Sequence, residues 1–330
     1  MIKQSKLLFG FIFLMALSLG FYSCDKETTT PVAPTTDKVS ALDQYMADHT
    51  QSIQVADLGE GTYHAVGEQG TIIEINNALV NAAGERVRGE IEIQLIEIYS
   101  VKDMILLQKQ TMADYDGELN ILESGGEVFI KVFQDGEELS VDGQGDMRLL
   151  LPTENTGGAR EGMELFYGEE TGDQVIWKPT GEKVRVVRLS NRNDAAYYQA
   201  LIEQILGWIN IDILANLQGE PVECVDLYID CPDFCEITMD NSYANIYVNS
   251  LNSAFGMDNL GGGRFQLCGN WPLGGITVTF VVVIECDGQL FVAIVTATIT
   301  PGSHMQIITC DDIQLMDVGT FEETLLLMAQ

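Results

Sequence analysis

Six cysteines carry the most specific chemistry in this chain. Cys224, Cys231, Cys235, Cys268, Cys286 and Cys310 all fall in its last third. An even set of thiols in an exported chain reads as disulfides, and spacing alone leaves the connectivity open. The rival chemistry is a metal site built from Cys224, Cys231 and Cys235. Zinc sites usually join one short cysteine gap to a second short gap or to closely spaced histidines. Here six residues separate the first two cysteines, three separate the next two, and the only later histidine is His304. Disulfides are expected, and no metal. A seventh cysteine, Cys24, stands far from the rest.

The remaining candidates are weaker. Asp114, Asp116, Glu118 and Asn120 put oxygens at alternate positions, like the start of a calcium loop. Gly117 comes too early for that loop, and Glu123 falls before its last position. A plain Asp-Gly turn fits better. His49, His64 and His304 lie in no metalloprotease motif, and no Gly-x-Ser-x-Gly elbow is present. Gly59-Glu60-Gly61 lacks the strand-turn-helix surroundings of a dinucleotide site. No cofactor and no catalysis are expected. The hydrolase alternative needs a pair of facing carboxylates, which composition alone cannot locate. Trp271, in Gly269-Asn270-Trp271-Pro272, and nearby Phe265 are the candidate ligand contacts. A loop tryptophan can stack on a sugar face or plug the edge of a sandwich.

Charge narrows the partners. The chain has 17 Lys+Arg against 49 Asp+Glu. Lys3 and Lys6 lie in the first 23 residues with no acid, so the remainder carries 15 − 49 = −34. Such a surface repels phosphate backbones, which excludes nucleic-acid binding. From Glu220 to the end there are 15 acids, Arg264 and no lysine. That stretch can form almost no salt bridges of its own.

The start of the chain reads as an address. Lys3 and Lys6 precede Leu7–Leu19, a run of 13 residues that is apolar apart from Gly10 and Ser18. It is shorter than the roughly 20 residues a membrane span needs, and it matches an export signal. Phe21-Tyr22-Ser23-Cys24 then resembles a lipobox, in which the cysteine thiol is acylated and becomes the new first residue. Ser23 fits that pattern; Phe21 and Tyr22 depart from it. Asp25–Ser40 is rich in Thr, Pro and charge, which makes it a tether. Together these features resemble Bacteroidota lipoproteins. The resemblance implies anchoring at the outer membrane or cell surface, with Asp25, Lys26 and Glu27 compatible with display outside.

Behind the tether the pattern is mainly β. Ala41–His49 is expected as a short helix. In Gly89–Tyr99, Ile91, Ile93 and Leu95 share one face, while Glu90, Glu92 and Gln94 share the other. The phase slips at Ile96, as a bulge or a strand end buried on both faces would make it. Glu127–Phe133 is another strand. Asp116-Gly117, Gly125-Gly126 and Asp135-Gly136 read as turns. Tyr198, Leu201, Ile202 and Ile205 have helical spacing, so a helix is expected to open Ala195–Leu214. Asp226–Asp230, Ser242–Val248, Ile276–Glu285 and Gln289–Thr298 read as strands, the last two joined at Asp287-Gly288.

One ordered set of pieces is shared with a known family. Gly70-Thr71-Ile72-Ile73, Asn77-Ala78-Leu79-Val80, Gly89-Glu90-Ile91, Glu97-Ile98-Tyr99 and Glu123-Ser124-Gly125-Gly126 resemble the ZU5-like sandwich of Bacteroidota lipoproteins. Some relatives cut themselves at a His-Phe-Ser motif, which is absent here, so the resemblance does not imply self-cleavage. Trp208-Ile209-Asn210 and Asp212 resemble a recurring element of the same family, with packing between domains as the implied role.

The expected architecture is two β-sandwich-like domains joined by a short helical connector. The boundaries are 1–23 signal peptide, 24–50 lipidated cysteine and tether, 51–155 first sandwich, 156–219 connector and 220–330 disulfide-bearing domain. The expected role is a membrane-anchored binding or scaffolding module with a protein or glycan partner. Glycan capture for nutrient uptake is the first alternative, and an unrecognised hydrolase the second.

Overall fold

Alternation of apolar residues sets the strands. In the Ile91–Ile98 strand Ile91, Ile93 and Leu95 enter one core, while Ile96 and Ile98 enter another. Pairing with Glu118–Gln134 runs from Glu92 to Ile98 without a register shift. The phase slip at Ile96 is therefore a strand end covered on both faces, not a bulge. Glu97 is also buried there, at 4% exposure. Its carboxylate accepts from the Gln69 N–H at 2.7 Å, the Thr71 N–H at 2.9 Å and Gln51 Nε2 at 2.8 Å. Those donors replace the lost water, which is what lets a carboxylate remain in a core.

The computed structural model describes residues 41–171, 174–203, 206–232, 234–248 and 250–328. The expected leader, Cys24 and the Asp25–Ser40 stretch lie outside them. The described residues belong to one compact unit and are mainly strand.

Among the described residues, four larger sheets and three helices form the layers. The first sheet has eight strands in the order Gln51–Val55, Ile91–Ile98, Glu118–Gln134, Gly207–Leu214, Glu164–Thr171, Gln174–Lys183 and Met112–Tyr115, with Glu137–Glu138 added beside Glu118–Gln134. The second has five: Arg185–Leu189, Ala195–Leu201, Asp146–Pro152, Ile72–Asn76 and Thr62–Val66. Ile93, Ile130 and Ile209 of the first sheet meet Tyr63, Ile75, Leu149 and Tyr198 of the second, which makes a sandwich.

The third sheet orders Asp258–Gly261, Arg264–Gly274, Glu220–Asp230 and Gly302–Thr309. The fourth orders Ala254–Gly256, Ser242–Val248, Thr277–Cys286, Gln289–Thr298 and Ile313–Met316. Val225, Leu227 and Phe265 of the third meet Ile246, Phe280 and Val282 of the fourth in a second sandwich. A middle core then joins the two. Ile98, Phe166, Trp177 and Trp208 of the first sheet share it with Tyr247, Val281 and Val292 of the fourth. The helices Ala41–His49, Val101–Leu106 and Val318–Met328 contribute Leu42, Tyr45, Ile105, Phe321 and Leu325 to it. This layer explains why Thr277–Cys286 carries so few charges: both its faces are covered.

Two expectations are corrected. No helix opens Ala195–Leu214; Ala195–Leu201 and Gly207–Leu214 are strands of the second and first sheets. The helical spacing misleads because Tyr198 is fully buried while Leu201 is 38% exposed, so they share no buried stripe. The 156–219 segment therefore completes the first sandwich instead of bridging to a second domain. Gly125-Gly126 is not a turn either, because it lies inside Glu118–Gln134. Gly126 has φ +125°, and a Cβ there would stand 2.6 Å from the Tyr99 ring. Glycine is needed for that close approach. Asp116-Gly117, Asp135-Gly136 and Asp287-Gly288 do turn, each with positive φ at both residues.

Candidate functional site

The Glu118–Gln134 and Gly207–Leu214 strands pair antiparallel and place Glu127, Phe129, Trp208, Asn210 and Asp212 on the face toward the middle core. Asn210 lies opposite Glu127, and Asp212 opposite Ser124, so the first strand carries one extra residue at Gly125-Gly126. That irregularity brings the Gly125 N–H to Asp212 Oδ1 at 3.2 Å. Asn210 Nδ2 donates to Asp212 Oδ2 at 2.7 Å.

Glu127 is the anomaly. It is fully buried, and neither carboxylate oxygen has a hydrogen-bond partner among the described residues. Asn210 Oδ1 is likewise without one. Burial pushes the Glu127 carboxyl well above the ordinary range; Asp212 pushes it further, and Lys109 opposes the rise. Burial also raises Asp212, to about 8, against the lowering bonds from Asn210, Gly125 and Ser124. Near neutral pH the pair therefore retains a proton, chiefly because burial disfavours the charged carboxylates.

Lys109 links this pair to the surface. It is 7% exposed and stands 4.8 Å from the centre of the Trp208 ring, a cation–π contact. Trp208 is held by the Phe129 ring at 4.9 Å and by donation from Nε1 to Glu170 Oε1 at 2.9 Å. Above them opens a cavity of about 520 Å³. Phe129, Trp208 and Lys109 line one side. Asp43 and Met46 of the Ala41–His49 helix, with Tyr243 and Glu285 of the fourth sheet, line the others. The Ala41 N–H donates to Glu285 Oε1 at 3.1 Å, which ties the start of the first helix to the fourth sheet. Glu127 and Asp212 do not line this cavity. The walls suit binding: apolar and aromatic surface, with carboxylates of Asp43, Glu170, Asp240 and Glu285 around it.

The sequence-derived candidates fall elsewhere. All six C-terminal cysteines pair: Cys224 with Cys268, Cys231 with Cys310 and Cys235 with Cys286. Cys24 lies outside the described residues. Phe265 and Trp271 are 1% and 6% exposed, inside the second sandwich. Their assignment as ligand contacts is corrected: Trp271 folds over Gly269, where a Cβ would stand 2.6 Å from its Nε1. Asp114 accepts from Lys178 Nζ at 2.6 Å and from the Gly117 N–H at 2.6 Å, closing a plain hairpin turn. The Lys178 bond, then that of Gly117, holds its carboxyl below the usual range. His49 stacks on Tyr45 at 3.8 Å, and His64 is exposed on a strand. His304 lies parallel to Phe280 at 6.0 Å, and burial lowers its pKa. Among the described residues no group of three or more His, Cys, Asp or Glu side chains could hold a metal.

Sequence reading misses Glu127, Lys109 and the cavity. Glu127 sits in Glu-Val-Phe-Ile-Lys-Val-Phe as an ordinary polar strand position. Its one visible signal is proximity to Gly125-Gly126. Trp208, Asn210 and Asp212 stand out in the sequence as a packing element, and Trp208 does pack in the middle core.

No family model and no curated protein matches the chain. Among solved structures it is similar to a pullulanase from Bacillus acidopullulyticus, with 11% identity and a TM-score of 0.15. That match covers 70% of this chain and 34% of the pullulanase chain. So low a score carries no inference about fold or activity.

Proposed function

We propose that this protein is an exported lipoprotein, held at the outer membrane or cell surface by a lipid on Cys24, that binds or scaffolds without catalysis. Its first sandwich corresponds, in this reading, to the ZU5-like module. The observation that carries the proposal is the cysteine arithmetic. Six of seven cysteines are paired within residues 224–310, which favours an oxidising compartment, and the seventh is Cys24 behind an apolar run. The cavity over Trp208 is the assigned binding surface, and its acidic surroundings suit a partner bearing positive charge. Burial of Trp271 leaves glycan stacking without its named residue.

Cells expressing the full chain and fed an alkynyl fatty acid test the anchor. The wild type should be labelled and sediment with membranes, while Cys24→Ala should lose both properties. A labelled Cys24→Ala protein, or an unlabelled wild type, would overturn the proposal.

A further inference from the structure

The third sheet ends on an open edge. Gly302–Thr309 pairs with Glu220–Asp230 on one side, and among the described residues no strand pairs with its other side. It is eight residues long, whereas the other edge strands among the described residues have five at most. Ser303 pairs with Cys224, and the register then runs unbroken to Thr309 with Asp230, so no bulge turns this edge aside. A free edge presents a row of backbone donors and acceptors, and proteins usually blunt it with charges, proline, bulges or short length. The second sheet does so at Arg185–Leu189, with two arginines in five residues.

Charge is missing from the open edge even though solvent reaches it. Between Asp287 and Asp311 lie 23 residues without Lys, Arg, Asp or Glu, in a chain that is 20% charged. Burial accounts for the first part, because much of Gln289–Thr298 packs in the cores on either side of it. It does not account for Gly302–Thr309, where five of eight residues are exposed. His304 adds no charge, since it lies against Phe280 and burial lowers its pKa. Met305 is 66% exposed and Ile307 48%. Tyr228, directly opposite Ile307 and so on the same face, is 43% exposed.

Acids frame this neutral strip. Exposed Glu223 lies beside the Gly302 end, while Asp230 is opposite Thr309 and Asp311 follows it, both exposed. Arg264, the one cation after Glu220, lies on the far side of Glu220–Asp230. Interfaces deplete charge at their centre and keep it at the rim. A second copy would set acid against acid at both ends, whereas a basic partner would meet complementary charge.

We propose that the open edge of Gly302–Thr309 docks an extended segment of a partner protein, uncharged at its centre and basic at its ends, as a fifth strand of the third sheet. Backbone hydrogen bonds would supply affinity, and Met305, Ile307 and Tyr228 would contact alternate side chains of the added strand. None of these residues lines the cavity over Trp208, so the two surfaces stand or fall separately.

A labelled synthetic peptide with alternating threonine and valine between two lysine pairs tests the edge against the oxidised full-length protein. Fluorescence anisotropy should show binding that weakens as salt rises, and amide exchange should slow within Gly302–Thr309. The same peptide with glutamates for lysines should not bind. Met305→Lys/Ile307→Lys should weaken binding by about tenfold or more with unchanged dichroism, because both side chains are exposed. Should that variant misfold, the exchange map of the wild type still decides. No binding, equal binding of the glutamate peptide, or protection only at other strands would overturn the proposal. So would a dimer of the protein alone, seen by sedimentation, that protects this same strand, because the edge would then belong to a second copy.

Discussion

The two sandwiches share a layered design but are fastened differently. Residues 41–214 carry the ion pairs: Arg86 with Asp142 at 2.6 Å, Lys131 with Glu138 at 3.3 Å, and Lys178 with Asp114 at 2.6 Å, besides Arg160–Glu123 and Lys183–Glu164. Within 220–328 no ion pair forms among the described residues. Glu322 instead reaches Lys102 of the first region, at 2.6 Å. Exposed pairs contribute about 0–1 kcal/mol each. Bridges that close 44, 79 and 51 residues each contribute roughly 4 kcal/mol in a chain-entropy account. A region with 15 acids and one arginine thus holds together without cations because its constraints are covalent.

If bridges alone held the second sandwich, its core would tolerate truncation. Trp271→Ala should instead cost roughly 3–5 kcal/mol, because it removes a buried aromatic of that core. Urea denaturation of the oxidised variant measures it. A loss below about 1 kcal/mol would mean that the bridges, not packing, dominate there.

Asp212 tests the first sandwich from within. Folded, it keeps its proton to about pH 8; unfolded, it loses it near its ordinary value of 3.8. Between those values the folded state binds more protons, so this group subtracts stability as pH rises, and the loss is complete above about pH 8. Asp212→Asn cannot titrate. Its stability relative to wild type should therefore rise steadily between about pH 5 and about pH 8.5, read by denaturant midpoints. A constant difference across that range would show that the carboxyl is not raised.

The smallest effect belongs to a surface ion pair. Arg86→Ala should cost about 0–1 kcal/mol and less at high salt, since its bond to Asp142 is partly solvated. A loss like that of Trp271→Ala would erase the contrast between the two regions.

Much of this architecture is legible in the sequence, and for identifiable reasons. Ser242–Val248 and Gln289–Thr298 have the expected bounds because apolar runs between turn residues admit few alternatives. The disulfides follow from an even cysteine set, although their pairing depends on which strands become neighbours, a long-range property. Ala195–Leu201 misleads because short apolar segments satisfy helix and strand periods alike. Glu127 stays hidden since nothing local marks whether a second layer will cover a strand's polar face. The middle layer does so through Val101–Leu106 and, above all, through the fourth sheet, which is remote in sequence from that strand.

Amide hydrogen exchange with and without excess reductant tests most directly the claim that covalent bridges hold the second sandwich. Reduction should strip protection from Glu220–Asp230, Arg264–Gly274 and Thr277–Cys286 while Ile72–Asn76 and Asp146–Pro152 keep most of theirs. Equal protection before and after reduction, or the same loss in both regions, would contradict it.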